Sequence, residues 1–242
     1  MSLHIETYIL YSKLEEDRKE SIEILKKQFE QVTDIEAIFP KQIHVPFINQ
    51  IIQVSKKRTG KPLSSSEIGC LLGHRKIWST IVKRNCPEDQ HFLVLESDSI
   101  LNDTTQLNHL YELVSSKYDL FFWGAWNGFV RIKRSTILFN ENERIIGEPF
   151  LKSVYCTYGY SLNKKAAQYL LNQTKRVSYP VDMFKHFIKL NEIKVGAIRK
   201  ELISTPLYLK SYIRNNSLFN FYKRRVITHF FDLRNALFSY FS

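Results

Sequence analysis

The chain holds three cysteines in 242 residues, Cys70, Cys86 and Cys156. Their number is odd and no two form a Cys-x-x-Cys pair, which excludes a disulfide framework and a cysteine-built zinc site and fits a reducing, cytoplasmic setting. No window approaches the roughly 18 apolar residues that a membrane span needs, so any membrane contact is expected to be peripheral. The opening Met1-Ser2-Leu3-His4-Ile5-Glu6 lacks a charged start followed by a long apolar core, and no signal peptide is expected. Internal repeats, low-complexity tracts and the signature modules of nucleic-acid binding are also missing.

What is present is positive charge. Lys and Arg outnumber Asp and Glu by 35 to 24, giving a net charge of +11 and a pI near 9.5. Such a balance points to an anionic partner: nucleic acid, an anionic membrane or a phosphorylated substrate. The cations are spread along the chain, which speaks against nucleic acid. The length suits one sizeable α/β domain or two small ones. An aromatic content of 14% hints at work near rings, sugars or lipid interfaces.

The organising stretch is His91-Phe92-Leu93-Val94-Leu95-Glu96-Ser97-Asp98-Ser99. A short apolar run of this kind reads as a buried strand of a parallel sheet. In open α/β sheets the ligand crevice lies beyond the carboxyl ends of the strands. Two acids one residue apart at such an end suit a hard divalent cation, which takes oxygen ligands and bridges to phosphates. In extended chain Glu96 and Asp98 point one way and Ser97 the other. The plainer alternative is that Asp98 is a solvated turn acid.

Around this stretch the chain alternates strand and helix patterns. Ile5 to Tyr11 reads as a first strand. Leu14 to Val32 reads as a helix with Leu14, Ile22, Leu25 and Phe29 buried, and Arg18 as either an exposed helix charge or a cation facing a phosphate. Ile35 to Phe39 reads as a short strand. Residues 41–62 are ambiguous and include the basic run Lys56-Lys57-Arg58-Thr59-Gly60-Lys61, read as a loop. Ser64 and Glu67 have capping-box spacing and open a helix to about Arg84. On it Cys70, His74 and Trp78 share one stripe, a pattern of core packing or of a site. Asp103 reads as the cap of a helix ending near Ser116. Tyr118 to Gly124 reads as a buried strand, residues 126–150 as a hairpin or excursion, Val154 to Ser161 as a strand and Lys164 to Asn172 as a helix. Asp182 follows Pro180 and reads as a helix cap or a catalytic carboxylate. Tyr222, Val226, Phe230, Leu233, Leu237 and Phe241 form an apolar stripe with Lys223, Arg224, Arg225 and Arg234 off it. Such a helix suits a membrane surface or packing on the domain.

The order of these motifs resembles glycosyltransferase family 25, the bacterial lipooligosaccharide transferases related to collagen galactosyltransferases. The similar segments are Ile9-Leu10-Tyr11-Ser12 with Asp17-Arg18, Leu63 through Trp78, Leu93 through Asp98, and Tyr158-Gly159-Tyr160-Ser161 through Pro180-Val181-Asp182. They span roughly residues 5–185. Two departures stand out: Gly73 replaces the usual serine before the histidine, and Ser97 replaces the middle acid of a Glu-Asp-Asp segment.

The resemblance implies an α/β fold: one GT-A-like nucleotide-binding domain, residues 1–205, with a mixed, mostly parallel central sheet flanked by helices. A basic amphipathic helical tail, residues 206–242, follows. It implies inverting transfer of a hexose, most often galactose from UDP-galactose, to a saccharide hydroxyl of a lipooligosaccharide or lipopolysaccharide. A divalent metal, Mn²⁺ or Mg²⁺, is implied with Asp98 as direct ligand and Glu96 as second ligand or ribose contact. The loss of the middle acid at Ser97 bears on that dependence. Asp182 is the first candidate for general base and His74 the second. Arg18 and Lys76 are candidates for the diphosphate. The implied partners are a nucleotide-sugar donor, a lipid-linked saccharide acceptor and the anionic inner face of the cytoplasmic membrane. Rival readings are a glycosidase, which places its carboxylates across a sugar rather than side by side, and a non-catalytic membrane-bound scaffold.

Overall fold

The computed structural model describes residues 2–13, 15–39, 47–124, 130–141, 143–155 and 157–206. The expected C-terminal helix, the expected buried Leu14, Cys156 and residues 126–129 of the expected excursion lie outside these. In chain order the elements are β1 (Thr7–Tyr11), α1 (Lys19–Lys26), β2 (Val32–Glu36), α2 (Ile48–Thr59), α3 (Ser65–Lys83), β3 (Phe92–Glu96), β4 (Ile100–Leu101) and α4 (Thr104–Ser115). Then come β5 (Leu120–Phe122), β6 (Phe139–Glu141), β7 (Arg144–Gly147), β8 (Gly159–Leu162), α5 (Lys164–Gln173), β9 (Val195–Arg199) and β10 (Ile203–Ser204).

Eight strands form one sheet in the order β2-β1-β3-β8-β5-β9-β7-β6. The strands β8 and β7 run against the other six, so the sheet is mixed and mostly parallel. Strand alternation sorts the core into two layers. Phe92 and Val94 of β3 face the helices α3 and α5, where Leu71, Trp78 and Leu170 are buried. Leu93 and Leu95 face the other way, against Leu25 of α1 and Leu107, Leu110 and Val114 of α4. This is the helix-flanked sheet that the sequence leads one to expect.

Several expectations need correction. The helix expected over 14–32 is a 3-10 turn, Glu16–Arg18, followed by the short α1, because residues from Val32 onward pair beside β1. Ile22, Leu25 and Phe29 are buried as expected. The basic run read as a loop is largely helix: Lys56, Lys57 and Arg58 form the last turn of α2, and Gly60 ends it at φ 76°. Cations there complement the carbonyl end of the helix dipole, and the left-handed φ favours glycine. Asp182 opens no helix; it sits in a turn that Met183 N–H closes onto the Pro180 carbonyl at 3.1 Å. The hairpin expected within 126–150 is present as β6 and β7, at the sheet edge.

A candidate active site at the carboxyl end of β3

The site is built from the crossing of three segments. Alternation places Glu96 on the same side of β3 as Phe92 and Val94, under α3. The helix α3 starts at the expected capping box: Ser64 Oγ accepts from Glu67 N–H at 3.2 Å, and Glu67 Oε2 accepts from Ser64 N–H at 2.8 Å. It presents Cys70 and His74 four residues apart on one face. The parallel pairing of β1 with β3, Leu10 opposite Glu96, brings the turn after β1 alongside the turn after β3.

His74 is fully buried and both ring nitrogens are engaged. Nε2 lies 3.1 Å from Glu96 Oε1 and Nδ1 lies 2.9 Å from Tyr160 OH. The Tyr160 hydroxyl accepts from Trp78 Nε1–H at 2.9 Å. One assignment that gives every group a partner sends the Tyr160 proton to Nδ1 and the Nε2 proton to the carboxylate. Thr157 Oγ1 also donates to Glu96 Oε1, and the Cys70 thiol lies 3.9 Å from that oxygen. Burial pushes the Glu96 carboxyl up, but the donors His74 and Thr157 and the nearby Arg18 outweigh it and hold the group below the usual range. Among the described residues, every hydrogen bond to the Glu96 carboxylate thus falls on Oε1, and its side chain is 24% exposed.

Strand β3 ends at Glu96. Ser99 N–H donates to the Glu96 carbonyl at 3.0 Å, closing a turn over Ser97 and Asp98. The strict alternation expected from Glu96 to Asp98 is therefore replaced by a turn. Ser97 Oγ donates to Glu15 Oε2 at 3.0 Å and accepts from Arg18 at 3.0 Å. Arg18 also lies 3.4 Å from both Glu15 Oε2 and Asp98 Oδ2, with its side chain only 10% exposed. Burial first, and then the Glu96 charge, raise the Asp98 carboxyl to about 6, against the pull of Arg18. Burial also raises Glu15. Asp98 Oδ1 is buried and makes no hydrogen bond among the described residues.

Three carboxylates, Glu15, Glu96 and Asp98, therefore share one guanidinium. Burial is the main cause of the upward shifts of Asp98 and Glu15, and the neighbouring acids add to it against Arg18. The open carboxylate oxygens, Asp98 Oδ1 and Glu96 Oε2, are hard donors of the type a divalent cation takes. The atoms Cys70 Sγ, His74 Nε2 and Glu96 Oε1 also lie within 4.8 Å of one another, a possible metal-binding triad. In that triad the thiol is pushed well up by burial and by Glu96, Asp182 and Asp98. A thiol held in its protonated form makes the triad a poor cage for a hard ion.

Asp182 is half-buried, and it lies near enough to add its charge to those of Glu96 and Asp98 at Cys70. The late Pro-Val-Asp segment and the end of β3 thus both lie within electrostatic reach of Cys70, at the strand end where an open α/β sheet keeps its ligand crevice. The structure therefore brings together Arg18, His74, Glu96, Asp98 and Asp182. It does not bring Lys76, which is exposed on the outer side of α3, two residues round from His74, and makes no ion pair among the described residues. His74 is buried behind Glu96 rather than open to an acceptor, so its place is that of a support for Glu96 and not of a base. Arg18 is turned onto Ser97, Glu15 and Asp98, not out to solvent. Sequence reasoning missed Glu15, Thr157 and Tyr160 as site residues. Glu15 carried no signal beyond one acid in a charged turn, and only the β1–β3 pairing reveals it.

Comparison with known proteins identifies the family of this chain. Residues 4–185 match the model of glycosyltransferase family 25, described as LPS biosynthesis proteins. Procollagen galactosyltransferase 1 of Danio rerio is 28% identical over 161 residues, covering 62% of this chain and 25% of that protein. The chain thus spans about a quarter of the curated relative it matches. The matched segment includes every residue of the crevice, from Glu15 to Asp182, and the chain belongs to glycosyltransferase family 25.

Proposed function

We propose that this glycosyltransferase transfers a hexose with inversion, galactose from UDP-galactose, to a saccharide hydroxyl of a lipid-linked lipooligosaccharide or lipopolysaccharide. The observation that supports this most is the acid cluster at the end of β3, with Asp182 within electrostatic reach of the same Cys70. A sugar leaving from a diphosphate develops negative charge on the leaving oxygen, and a bound Mn²⁺ or Mg²⁺ would supply Lewis-acid stabilisation there. Asp98 Oδ1 and Glu96 Oε2 are the atoms we assign to hold it.

The chain's own residues divide the remaining work. Arg18 and Ser97 fix the Asp98 turn. Thr157, His74 and Tyr160 fix Glu96 on its Oε1 side and leave Oε2 turned to the crevice. Glu15, reached through Ser97 Oγ, supplies a carboxylate beside the position where the family's middle acid is absent. Direct displacement needs a base on the face opposite the leaving group, and Asp182 is the carboxylate we assign to take the acceptor proton. The relative's name supports galactose as the sugar, and the family description supports lipopolysaccharide as the acceptor. We place the reaction at the inner face of the cytoplasmic membrane, with residues 206–242 as peripheral anchor. No helix among the described residues is long and apolar enough to cross a membrane.

The direct test is incubation of the purified chain with UDP-galactose and lactose-terminated oligosaccharide, followed by NMR of the product. A new β-linked galactose with release of UDP is expected from the α-linked donor. An α-linked product would overturn inversion, and transfer from another nucleotide sugar alone would overturn the donor.

A further inference from the structure

A strongly cationic surface lies beside the loop that carries Asp182. The sequence has no Asp or Glu between Glu36 and Glu67, and none between Glu148 and Asp182. Folding sets these two acid-free stretches against each other. Arg58 Nη1, in the last turn of α2, donates to Ser178 Oγ at 3.1 Å across 120 residues of sequence. Ile48, Ile51 and Ile52 of α2 pack into the same apolar layer as Val177 and Val181. The result groups Lys56, Lys57, Arg58 and Lys61 with Lys175 and Arg176, all exposed. None of the six forms an ion pair among the described residues.

The helix dipole accounts for Lys56, Lys57 and Arg58, which sit in the last turn of α2. It does not account for Lys61, which follows the helix, or for Lys175 and Arg176, which come from a distant segment. Like charges gathered without acids repel, so an uncompensated group of this size is a binding feature before it is a stabilising one. Its neighbour is aromatic. Tyr179, next to Ser178, stacks on the exposed His186 with ring centroids 3.9 Å apart and planes 6° from parallel. Asp182 follows Tyr179 by three residues, and its charge reaches Cys70 beside the β3 acids.

We propose that this surface receives an anionic group, a phosphate or carboxylate, carried by the acceptor saccharide. This rests on the assignment of Asp182 to the acceptor side of the crevice. The cations hold the charged substituent through charge-assisted bonds, the ring pair offers a flat face to a sugar, and Asp182 lies within the reach of the adjacent residue. The acceptor is thereby distinguished from its neutral counterpart before any contact at the reacting hydroxyl.

The test uses the full chain and the triple variant Lys56→Gln, Lys57→Gln, Lys61→Gln, leaving Arg58 in place on Ser178. Affinity is measured at low salt for lactose phosphate, lactose and inorganic phosphate. The native protein should bind lactose phosphate about tenfold or more tightly than either alternative, the scale of one good charge-assisted contact. The variant should lose that preference, as should the native protein at about 1 M salt. Equal affinity for lactose phosphate and lactose, or a preference that survives in the variant, would overturn the proposal. Vesicles containing phosphatidylglycerol form a second arm. If they bind the native chain and not the variant while lactose phosphate shows no preference, the surface belongs to the membrane and the proposal fails. Stabilisation by UDP with Mn²⁺ on the same samples reports the donor site separately. Its absence from both proteins counts against the transferase reading, whereas the sugar-phosphate preference alone judges this surface.

Discussion

Glu96 and Asp98 stand two residues apart and live in opposite surroundings. Glu96 receives three donors on one oxygen and is held low; Asp98 has one guanidinium at 3.4 Å and a buried open oxygen, and is raised to about 6. A carboxyl raised on folding binds more protons in the folded than in the unfolded state, so its contribution to stability is full below the unfolded value near 3.8 and is lost as pH rises through about 6. Metal-free native protein should therefore lose stability relative to Asp98→Asn between about pH 4 and 6. Parallel thermal melts of the two proteins measure this, and a constant difference across that range would remove the basis for a strained Asp98. Tyr160 gives a second check. The change Tyr160→Phe keeps the ring but leaves Trp78 Nε1–H and His74 Nδ1 buried without the hydroxyl that joins them. A loss of about 1–3 kcal/mol in urea unfolding is expected. An unchanged midpoint would mean that water or rearrangement satisfies both groups.

At the level of elements, the sequence shows strongest where two independent signals coincide. The α3 start is legible because Ser64 and Glu67 form both halves of a capping box, and β3 because the four apolar residues Phe92 to Leu95 end abruptly in acids. Replacing Ser64 by Ala should cost about 1 kcal/mol, seen as a lower Tm, since one orphan N–H of the helix that carries Cys70 and His74 loses its acceptor. No change in Tm would show that the box is dispensable. The helix α2 was not legible: Ile48, Ile51 and Ile52 suit a strand as well as a helix, so residues 41–62 read as ambiguous, and the basic run from Lys56 read as a loop. The strand β9 carried a short apolar run broken by Gly196, whose place is explained only by the Tyr118 and Phe121 rings that a side chain there would strike, at 2.7 and 2.6 Å. The turn at Ser97 and Asp98 was hidden for a similar reason. Its cause is Ser99, whose hydroxyl accepts from Glu96 N–H and gives its one proton to the Glu96 or the Tyr158 carbonyl, and a lone serine after two polar residues does not announce that.

At the level of the whole molecule, the crevice depends on chain segments far apart in sequence. Glu15 and Arg18 arrive through β1, Glu96 and Asp98 through β3, Cys70 and His74 through α3, and Asp182 through the loop after α5. The candidate acids were readable one by one; the division proposed for them, into a metal-holding pair, a supporting carboxylate and a base, was not, since it rests on strand order. The division predicts separable losses. The change Asp182→Asn should leave nucleotide binding intact and lower kcat about 100-fold or more, the scale of a lost general base. Turnover near the native value would return the role of base to another group. The most direct measurement is thermal stabilisation by UDP, GDP and CMP, each with and without Mn²⁺, for the native chain and Asp98→Asn. A donor site predicts that UDP at 100 times its Kd raises the native Tm by about 5–10 °C, that Mn²⁺ enlarges the rise, and that the Mn²⁺ increment disappears in Asp98→Asn. No stabilisation by any nucleotide, or an increment that survives the substitution, would contradict the assignment of the β3 acids to a metal-assisted nucleotide-sugar site.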